Sequence, residues 1–209
     1  LSGGAATLSS ATPSSISVSG NTYILGLSIS GTPNGNEIIT VVPSSSTAIY
    51  DASDNAASTS QSSNTINLNE KVLPIISASS IASNNKTINT TFSESVFNAV
   101  GGSGALEMTD FNLSLSGGIA NLSSNTPTTI ASSGNIYTLG ITVVGASNGS
   151  EVITISPVSN SIYDSNGNLA STSQSNNTVT LNTDTDGDGL TNSLDNCLTV
   201  SNTTQLDSD

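Results

Sequence analysis

The stretch "LSGGIANLSSNTPTTIASSGNIYTLGITVVGASNGSEVITISP", residues 115–157, decides the fold because it occurs twice in the chain. Its counterpart is "LSGGAATLSSATPSSISVSGNTYILGLSISGTPNGNEIITVVP", residues 1–43. After a slip of one residue, residues 49–69 match residues 162–182, and 38 of the 64 aligned positions are identical. The period of 113 to 114 residues is far longer than that of a solenoid and suits a whole domain.

The complete copy of the repeat is rich in short segments typical of β-strands. Apolar and polar residues alternate clearly in Thr87–Phe92 and in 178–181, which is typical of half-buried strands. Turn clusters such as "NAVGGSG" and "DSNGN" separate the segments. The strand candidates are "PIISAS", "KTINTTF", "EMTDFNLSLS", "GIANLS", "NIYTLGITVV", "EVITISP" and "NTVTL". About seven strands in such a length predict an all-β protein of tandem antiparallel β-sandwiches.

The alignment also predicts the domain organisation. Residues from about 72 to 114 have no counterpart before residue 1, so residues 1–71 are expected to be the later part of a first sandwich. Residues 72–183 are expected to form a complete second sandwich, and residues 184–209 a separate C-terminal segment. Because a partial sandwich exposes strand edges, we expect upstream sequence or another chain to supply the strands that the first copy lacks.

Composition excludes several classes of function. The net charge is −13, with 2 Lys and Arg together and no His. Such a chain is unsuited to nucleic acid, which needs clustered cations, and to an anionic membrane surface. It also contains no apolar run of the length that inserts into a membrane. The scarcity of charged and aromatic residues can indicate disorder, but the evenly spread β-branched residues favour a folded chain.

The segment "DTDGDGLTNSLD", residues 184–195, has the spacing of a loop that wraps a hard cation in oxygen ligands. A glycine at position 6, Gly189, permits the sharp turn. The ligand positions 1, 3, 5, 7 (through its backbone carbonyl) and 12 are occupied by Asp184, Asp186, Asp188, Leu190 and Asp195. The alternative is an acidic linker with turn-forming Asp and Gly. We favour a Ca²⁺ site, because five spaced positions agree.

The residues that follow the loop carry a more specific resemblance. Asp195-Asn196-Cys197 is followed by Asn202 and Gln205 and then by Asp207 and Asp209. This order resembles the thrombospondin type 3 repeat, although Leu198 stands where that family usually has Pro. The resemblance implies that Asp207 and Asp209 are Ca²⁺ ligands opening a further repeat. It also implies that Cys197 pairs with a cysteine further downstream.

The complete copy carries a second resemblance. A strand ending in Phe92-Ser93-Glu94 and a late turn from Asp164 to Asn168 resemble the bacterial Ig-like domains strung in tandem in large surface and secreted proteins. The resemblance implies an extracellular spacer, stalk or cell-adhesion module. The resemblance implies neighbouring domains of the same array as partners, and it leaves open whether the module also binds a cell-surface ligand or a glycan.

The late turns of the two copies are candidates for weaker metal sites. The side-chain oxygens in question belong to Asp51, Asp54, Asn55, Asp164, Asn166 and Asn168. Asx-turns use the same residues without metal, and we favour this plainer interpretation. The paired tyrosines Tyr23/Tyr137 and Tyr50/Tyr163 are expected to be core or corner aromatics rather than sugar-stacking platforms.

These observations predict a non-catalytic structural or adhesive stalk module that calcium makes rigid. The alternative is a β-sandwich that binds carbohydrate or another ligand, although aromatic residues make up only 3% of the chain. A glycosidase would need a pair of catalytic carboxylates. Glu37 and Glu151 occupy equivalent repeat positions, and duplication favours a structural role for them. We therefore expect no enzyme activity.

Overall fold

The computed structural model describes residues 1–206 and shows an all-β protein built from antiparallel sheets, which confirms the predicted fold class. Within these residues the only helical element is a 3-10 turn at Met108–Asp110. The chain divides into two compact units: unit 1, Leu1–Val72, and unit 2, which begins at Leu73 and includes the described part of the acidic segment.

Unit 2 contains two larger sheets and one small one. Its strands are β7 (Ile76–Ile81), β8 (Thr87–Phe92), β9 (Phe111–Ser116), β10 (Asn121–Leu122), β11 (Thr129–Ser133), β12 (Ile136–Gly140), β13 (Val143–Val144), β14 (Val152–Pro157) and β15 (Thr178–Thr180). The four-stranded sheet has the order β11-β12-β8-β7, the three-stranded sheet has the order β15-β14-β9, and the small sheet pairs β10 with β13.

A single hydrophobic core lies between the larger sheets of unit 2. Strand β8 contributes Ile88 and strand β14 contributes Ile153 and Ile155, and all three are fully buried. The alternation in these strands explains the burial, because every second side chain faces the same side of a sheet. At one end of the core, Tyr137 packs edge-to-face against Phe92 with ring centroids 5.8 Å apart.

Unit 1 repeats the strand pairs of unit 2 that its sequence shares. Its strands form three antiparallel pairs: β1 (Thr7–Leu8) with β4 (Ile29–Ser30), β2 (Ser15–Ser19) with β3 (Thr22–Gly26), and β5 (Ile38–Thr40) with β6 (Thr65–Asn67). The register is conserved. Ser15 faces Gly26 in unit 1 as Thr129 faces Gly140 in unit 2.

The strand predictions differ from the structure in three places. Strand β11 was missed because its side chains are mostly exposed and polar, so its alternation is weak. The segment "NIYTLGITVV" forms two strands, since β12 and β13 pair in different sheets. The segment "EMTDFNLSLS" begins with the 3-10 turn, in which the Asp110 carboxylate accepts a hydrogen bond from the Glu107 N–H at 2.7 Å.

The tyrosines follow the prediction only in unit 2. Tyr137 is buried and its hydroxyl donates to the Val96 carbonyl at 3.2 Å, while the Tyr163 hydroxyl donates to the Asn160 carbonyl at 3.1 Å. Tyr23 and Tyr50 are exposed, so the core assignment is wrong for them. In unit 2 the rings that cover Tyr137 come from β8 and β9, and unit 1 has no such strands among its residues.

Candidate metal centre

The acidic loop of unit 2 is shaped by hydrogen bonds from its own backbone. The Asp184 carboxylate accepts from the N–H groups of Gly187 at 2.9 Å and Gly189 at 3.1 Å. The Asp188 carboxylate accepts from the Leu190 N–H at 2.8 Å. Gly189 has a φ of +90°, a conformation that favours glycine. The loop therefore curls around its acidic side chains as the spacing predicts.

Three of the predicted ligands converge. Asp184, Asp186 and Asp188 each place a carboxylate oxygen within 4.8 Å of the others. Asp184 is buried and the other two are half-buried. Three carboxylates so close repel one another unless a cation or protons lie among them. The arrangement suits a hard cation, which prefers oxygen ligands.

Two oxygens of the loop lack any hydrogen bond. Oδ2 of Asp186 and Oδ2 of Asp195 are buried, and neither has a partner among the described residues. A buried carboxylate oxygen without a donor is costly, so these atoms fit a cation that would be their missing partner. Asp195 is not in the cluster of three. Its other oxygen accepts from the Cys197 N–H at 2.8 Å and from Gln205 Nε2 at 3.2 Å.

The residues after the loop fold back onto it. The Asn202 N–H donates to the Asp188 carboxylate at 3.0 Å, and the Gln205 side-chain oxygen accepts from the Asn196 N–H at 2.6 Å. These contacts give the Asn and Gln of the sequence motif a structural role. Cys197 is a free, half-buried thiol. Asp207 and Asp209, the last predicted ligands, lie outside the described residues.

The loop is attached to the sandwich of unit 2. The Asp184 N–H donates to the Ser147 carbonyl at 2.8 Å, and the Thr191 hydroxyl donates to the Ser83 carbonyl at 2.6 Å. Immediately before the loop, Asn85 and Asn182 are joined by several hydrogen bonds, including Asn85 Nδ2 to the Asn182 carbonyl at 2.7 Å. The spacing of the acidic loop does not predict these contacts, because Ser83, Asn85 and Ser147 lie far from the loop in the sequence.

The weaker candidate sites form compact turns. Asp164 accepts from the N–H groups of Asn166 and Asn168, both at 2.8 Å, and from Asn168 Nδ2 at 2.7 Å. Asp51 makes equivalent contacts with the backbone and side chain of Asn55. The Asn55 side chain, together with backbone N–H groups, holds the pKa of Asp51 below its usual value. Asp54 takes a left-handed conformation with φ +62° where unit 2 has Gly167. Metal binding at these turns stays a prediction.

Each unit also contains a glutamate clamp, defined as Glu151 or Glu37 with the four backbone N–H groups that its carboxylate binds. In unit 2 the donors belong to residues 119 and 120 on one side and 148 and 149 on the other, at 2.9 to 3.2 Å. In unit 1 they belong to residues 5, 6, 34 and 35, at 2.7 to 3.0 Å. Both glutamates are fully buried. The clamps support the structural role inferred from their duplication.

The clamps shift the pKa of both glutamates in the same direction. Burial by itself raises the pKa of Glu37, but donation from Ala6, Asn34 and Ala5 outweighs it and lowers the pKa from 4.5 to about 2. Glu151 has the same opposing causes, and its pKa is also lowered. Gly118 makes the contact possible, because a Cβ there would lie 2.0 Å from Glu151 Oε1. In the sequence, the feature that indicates the clamp is the Gly-Gly pair shared by the two copies, Gly3-Gly4 and Gly117-Gly118. The strand prediction does not depend on this pair.

The site is therefore an oxygen-lined loop of the kind that holds a hard cation, carried on a β-sandwich. Residues 182–205 match the family model of the thrombospondin type 3 repeat, a calcium-binding repeat found in extracellular proteins. No curated protein and no solved structure matches the chain. The Ig-like resemblance of the sandwiches thus stays a prediction. Across residues 1–206, no helix has the length and apolar character needed to cross a membrane.

Proposed function

We propose that this chain is a non-catalytic, extracellular stalk or adhesion module in which Ig-like sandwiches continue into a calcium-binding segment. The observation that carries the proposal is the acidic loop, in which three carboxylates converge. One oxygen of Asp186 and one of Asp195 are also buried with no hydrogen-bond donor among residues 1–206. Asp184, Asp186 and Asp188 would hold the Ca²⁺ ion. Bound calcium would neutralise their repulsion and keep the loop in one conformation.

The contacts between loop and sandwich support a mechanical role. Asp184 is at once a candidate ligand and, through its N–H, a partner of the Ser147 carbonyl. Thr191, within the same loop, bonds to the Ser83 carbonyl. Calcium that orders the loop would therefore also hold these two contacts, and the loop would leave the sandwich of unit 2 in a fixed direction. Stiffness of this kind suits a spacer that must keep distant parts of a protein apart.

The carboxylates of the sandwiches support the absence of catalysis. Glu37 and Glu151 have both oxygens committed to backbone donors and are shielded from solvent. A carboxylate that acts as a nucleophile or general acid must instead reach its substrate. Asp110 is likewise buried, and it accepts a backbone hydrogen bond in the 3-10 turn.

The test is the calcium dependence of unit 2. The full chain is stripped with EGTA and then titrated with CaCl₂ to about 5 mM, above the millimolar dissociation constants of weak extracellular modules. We expect saturable heat of binding and a rise in the melting temperature of unit 2, because a ligand that binds the folded state stabilises it. Calorimetric titration measures the heat of binding. Hydrogen exchange of unit 2 amides, followed over a range of temperatures, measures the melting of that unit.

Paired variants separate the site from general charge effects. Asp186→Asn removes one carboxylate of the cluster and should weaken calcium binding by about tenfold or more. Glu107→Gln removes the same charge from an exposed position and should leave binding unchanged. A chain that shows neither heat nor a shift in melting at saturating calcium would contradict the proposal.

A further inference from the structure

Three asparagines of the chain are followed by glycine, a pair that is prone to spontaneous deamidation. The pairs are Asn34-Gly35, Asn148-Gly149 and Asn166-Gly167. In this reaction the backbone nitrogen of the glycine loses its proton to a base in solution and attacks Cγ of the asparagine side chain. The side-chain nitrogen takes up a proton and leaves as ammonia, and water then opens the cyclic imide to aspartate or isoaspartate. The reaction therefore depends on how readily each glycine N–H loses its proton.

The three glycines have nearly the same backbone conformation. The φ angle is +83° at Gly35, +81° at Gly149 and +84° at Gly167, all in the left-handed region that glycine tolerates. The backbone conformation of the glycine therefore does not distinguish the three sites. What differs in the folded protein is the group that accepts the hydrogen bond from each glycine N–H.

Two of the three N–H groups donate to the carboxylates of the glutamate clamps. The Gly149 N–H donates to Glu151 Oε2 at 3.1 Å, and the Gly35 N–H donates to Glu37 Oε2 at 3.0 Å. A negative charge beside an N–H group opposes the loss of its proton, because a second negative charge would form next to the first. Both glutamates are fully buried, and salt and solvent screen a buried charge much less than an exposed one.

The clamp carboxylates are also poor bases. Burial raises the pKa of both, but donation from backbone N–H groups outweighs it, so that the pKa of Glu151 is lowered and that of Glu37 falls to about 2. A carboxylate with a lowered pKa holds a proton weakly. The clamps therefore do not assist the reaction by removing the proton from the glycine nitrogen.

The third glycine has a different acceptor. The Gly167 N–H donates to the neutral backbone carbonyl of Asp164 at 3.3 Å. The Asp164 carboxylate accepts instead from the N–H groups of Asn166 and Asn168, both at 2.8 Å. A hydrogen bond to a neutral carbonyl is weaker than one to a carboxylate. Asn166 is also exposed, so base and water can reach it.

We propose that the glutamate clamps protect Asn34 and Asn148 from deamidation, and that Asn166 is the Asn-Gly site at which the folded chain is modified first. Each clamp keeps the attacking nitrogen protonated beside a fixed negative charge. The turn at Asp164 leaves the corresponding nitrogen easier to deprotonate. The inference does not depend on bound calcium, since neither clamp belongs to the acidic loop.

The test follows deamidation of the full chain at mildly alkaline pH by peptide mapping and mass spectrometry, both in the folded state and in urea. In urea the three sites should react at similar rates, because each has the same Asn-Gly pair. In the folded chain Asn166 should react at least about fivefold faster than Asn148 or Asn34, the factor that a unit charge about 4 Å from a second one produces even in bulk water. Equal rates at the three sites of the folded chain would overturn the proposal.

Variants of the clamps separate local protection from general stability. Glu151→Gln removes the charge and should speed the reaction of Asn148 at least about fivefold, while Asn166 keeps its rate. An equal acceleration of both sites would show that the variant only loosens unit 2, and an unchanged rate at Asn148 would show that the charge gives no protection. Either result contradicts the proposal. Glu37→Gln is the matched variant in unit 1, in which Asn34 should accelerate and Asn148 should not.

Discussion

Unit 1 and the matching part of unit 2 share strand register and the glutamate clamp, yet they differ in burial. Ser15 pairs with Gly26 as Thr129 pairs with Gly140, and Glu37 binds its four N–H groups as Glu151 does. Tyr23 is nevertheless 64% exposed, whereas Tyr137 is 7% exposed. Pairing and turn geometry are therefore local properties of the shared sequence, while burial depends on the strands that unit 2 has in addition.

The largest expected effect comes from truncating the equivalent tyrosines. Tyr137→Ala should destabilise unit 2 by about 4 kcal/mol, because it opens a cavity beside Phe92 and Phe111. Tyr23→Ala should change the stability of unit 1 by no more than about 0.5 kcal/mol, as is usual at exposed positions. Urea unfolding monitored by hydrogen exchange in each unit measures both. Equal losses of stability in the two variants would contradict the difference in burial between Tyr137 and Tyr23.

The glutamate clamp should matter next. Glu151→Gln replaces one carboxylate oxygen with an N–H donor facing the N–H groups of residues 148 and 149. Loss of charged hydrogen bonds should lower the free energy of unfolding of unit 2 by about 2 to 3 kcal/mol. Glu37→Gln should destabilise unit 1 for the same reason. A Glu151→Gln protein as stable as its parent would show that the clamp is dispensable.

The clamps also predict a shared dependence on pH. Because the folded-state pKa of both glutamates is lowered, their contribution is fully present above the unfolded value near 4.5. This stabilisation is lost as the pH falls. For Glu37 the loss continues as the pH approaches the folded-state pKa of about 2. Unfolding midpoints in urea between about pH 6 and pH 2 should therefore decline in both units. The Gln variants should show a shallower decline.

Asp110 makes the pH response of unit 2 different from that of unit 1. Burial raises the pKa of Asp110, against the lowering effect of the Glu107 N–H. A raised folded-state pKa gives stability that is present at low pH and lost as the pH rises through it. The contribution of Asp110 to the stability of unit 2 therefore changes with pH in the direction opposite to that of Glu151. Asp110→Asn should steepen the loss of stability on acidification there and leave unit 1 unaffected.

The smallest expected effect concerns the link between loop and sandwich. Thr191→Val removes the hydrogen bond to the Ser83 carbonyl and should reduce the stabilisation of unit 2 by calcium by about 1 kcal/mol. Thr203→Val, at an exposed position, is the matched control. Melting curves of both variants with calcium and with EGTA measure the difference. A full calcium response in Thr191→Val would mean that other contacts carry the coupling.

The sequence was sufficient for features that depend on local pattern. The alternation within the candidate "KTINTTF" predicted β8, which begins one residue later than the candidate, at Thr87. The spacing of Asp184, Asp186 and Asp188 predicted their convergence. In a strand every second side chain points to the same face of the sheet. The three aspartates of the loop are also spaced two residues apart, so both features can be read from neighbouring residues. The all-β class followed from the same regularities.

Features that depend on distant residues could not be read from these patterns. The partners of Asp184 and Thr191 in the sandwich are Ser147 and Ser83, and no short motif connects them. The core assignment of Tyr23 failed for a related reason. Its side chain matches Tyr137 in sequence, but burial is supplied by residues that the alignment of the two copies leaves out.

The hydrogen bonds between Asn85 and Asn182 have a consequence for a chain under tension. Asn85 lies in the turn after the first strand of unit 2, and Asn182 lies two residues after the last strand. A pulling force applied through the C-terminal segment would reach this pair after the Thr191–Ser83 and Asp184–Ser147 hydrogen bonds and before the β14–β15 ladder. The two asparagines would then resist the detachment of β15 from the rest of unit 2.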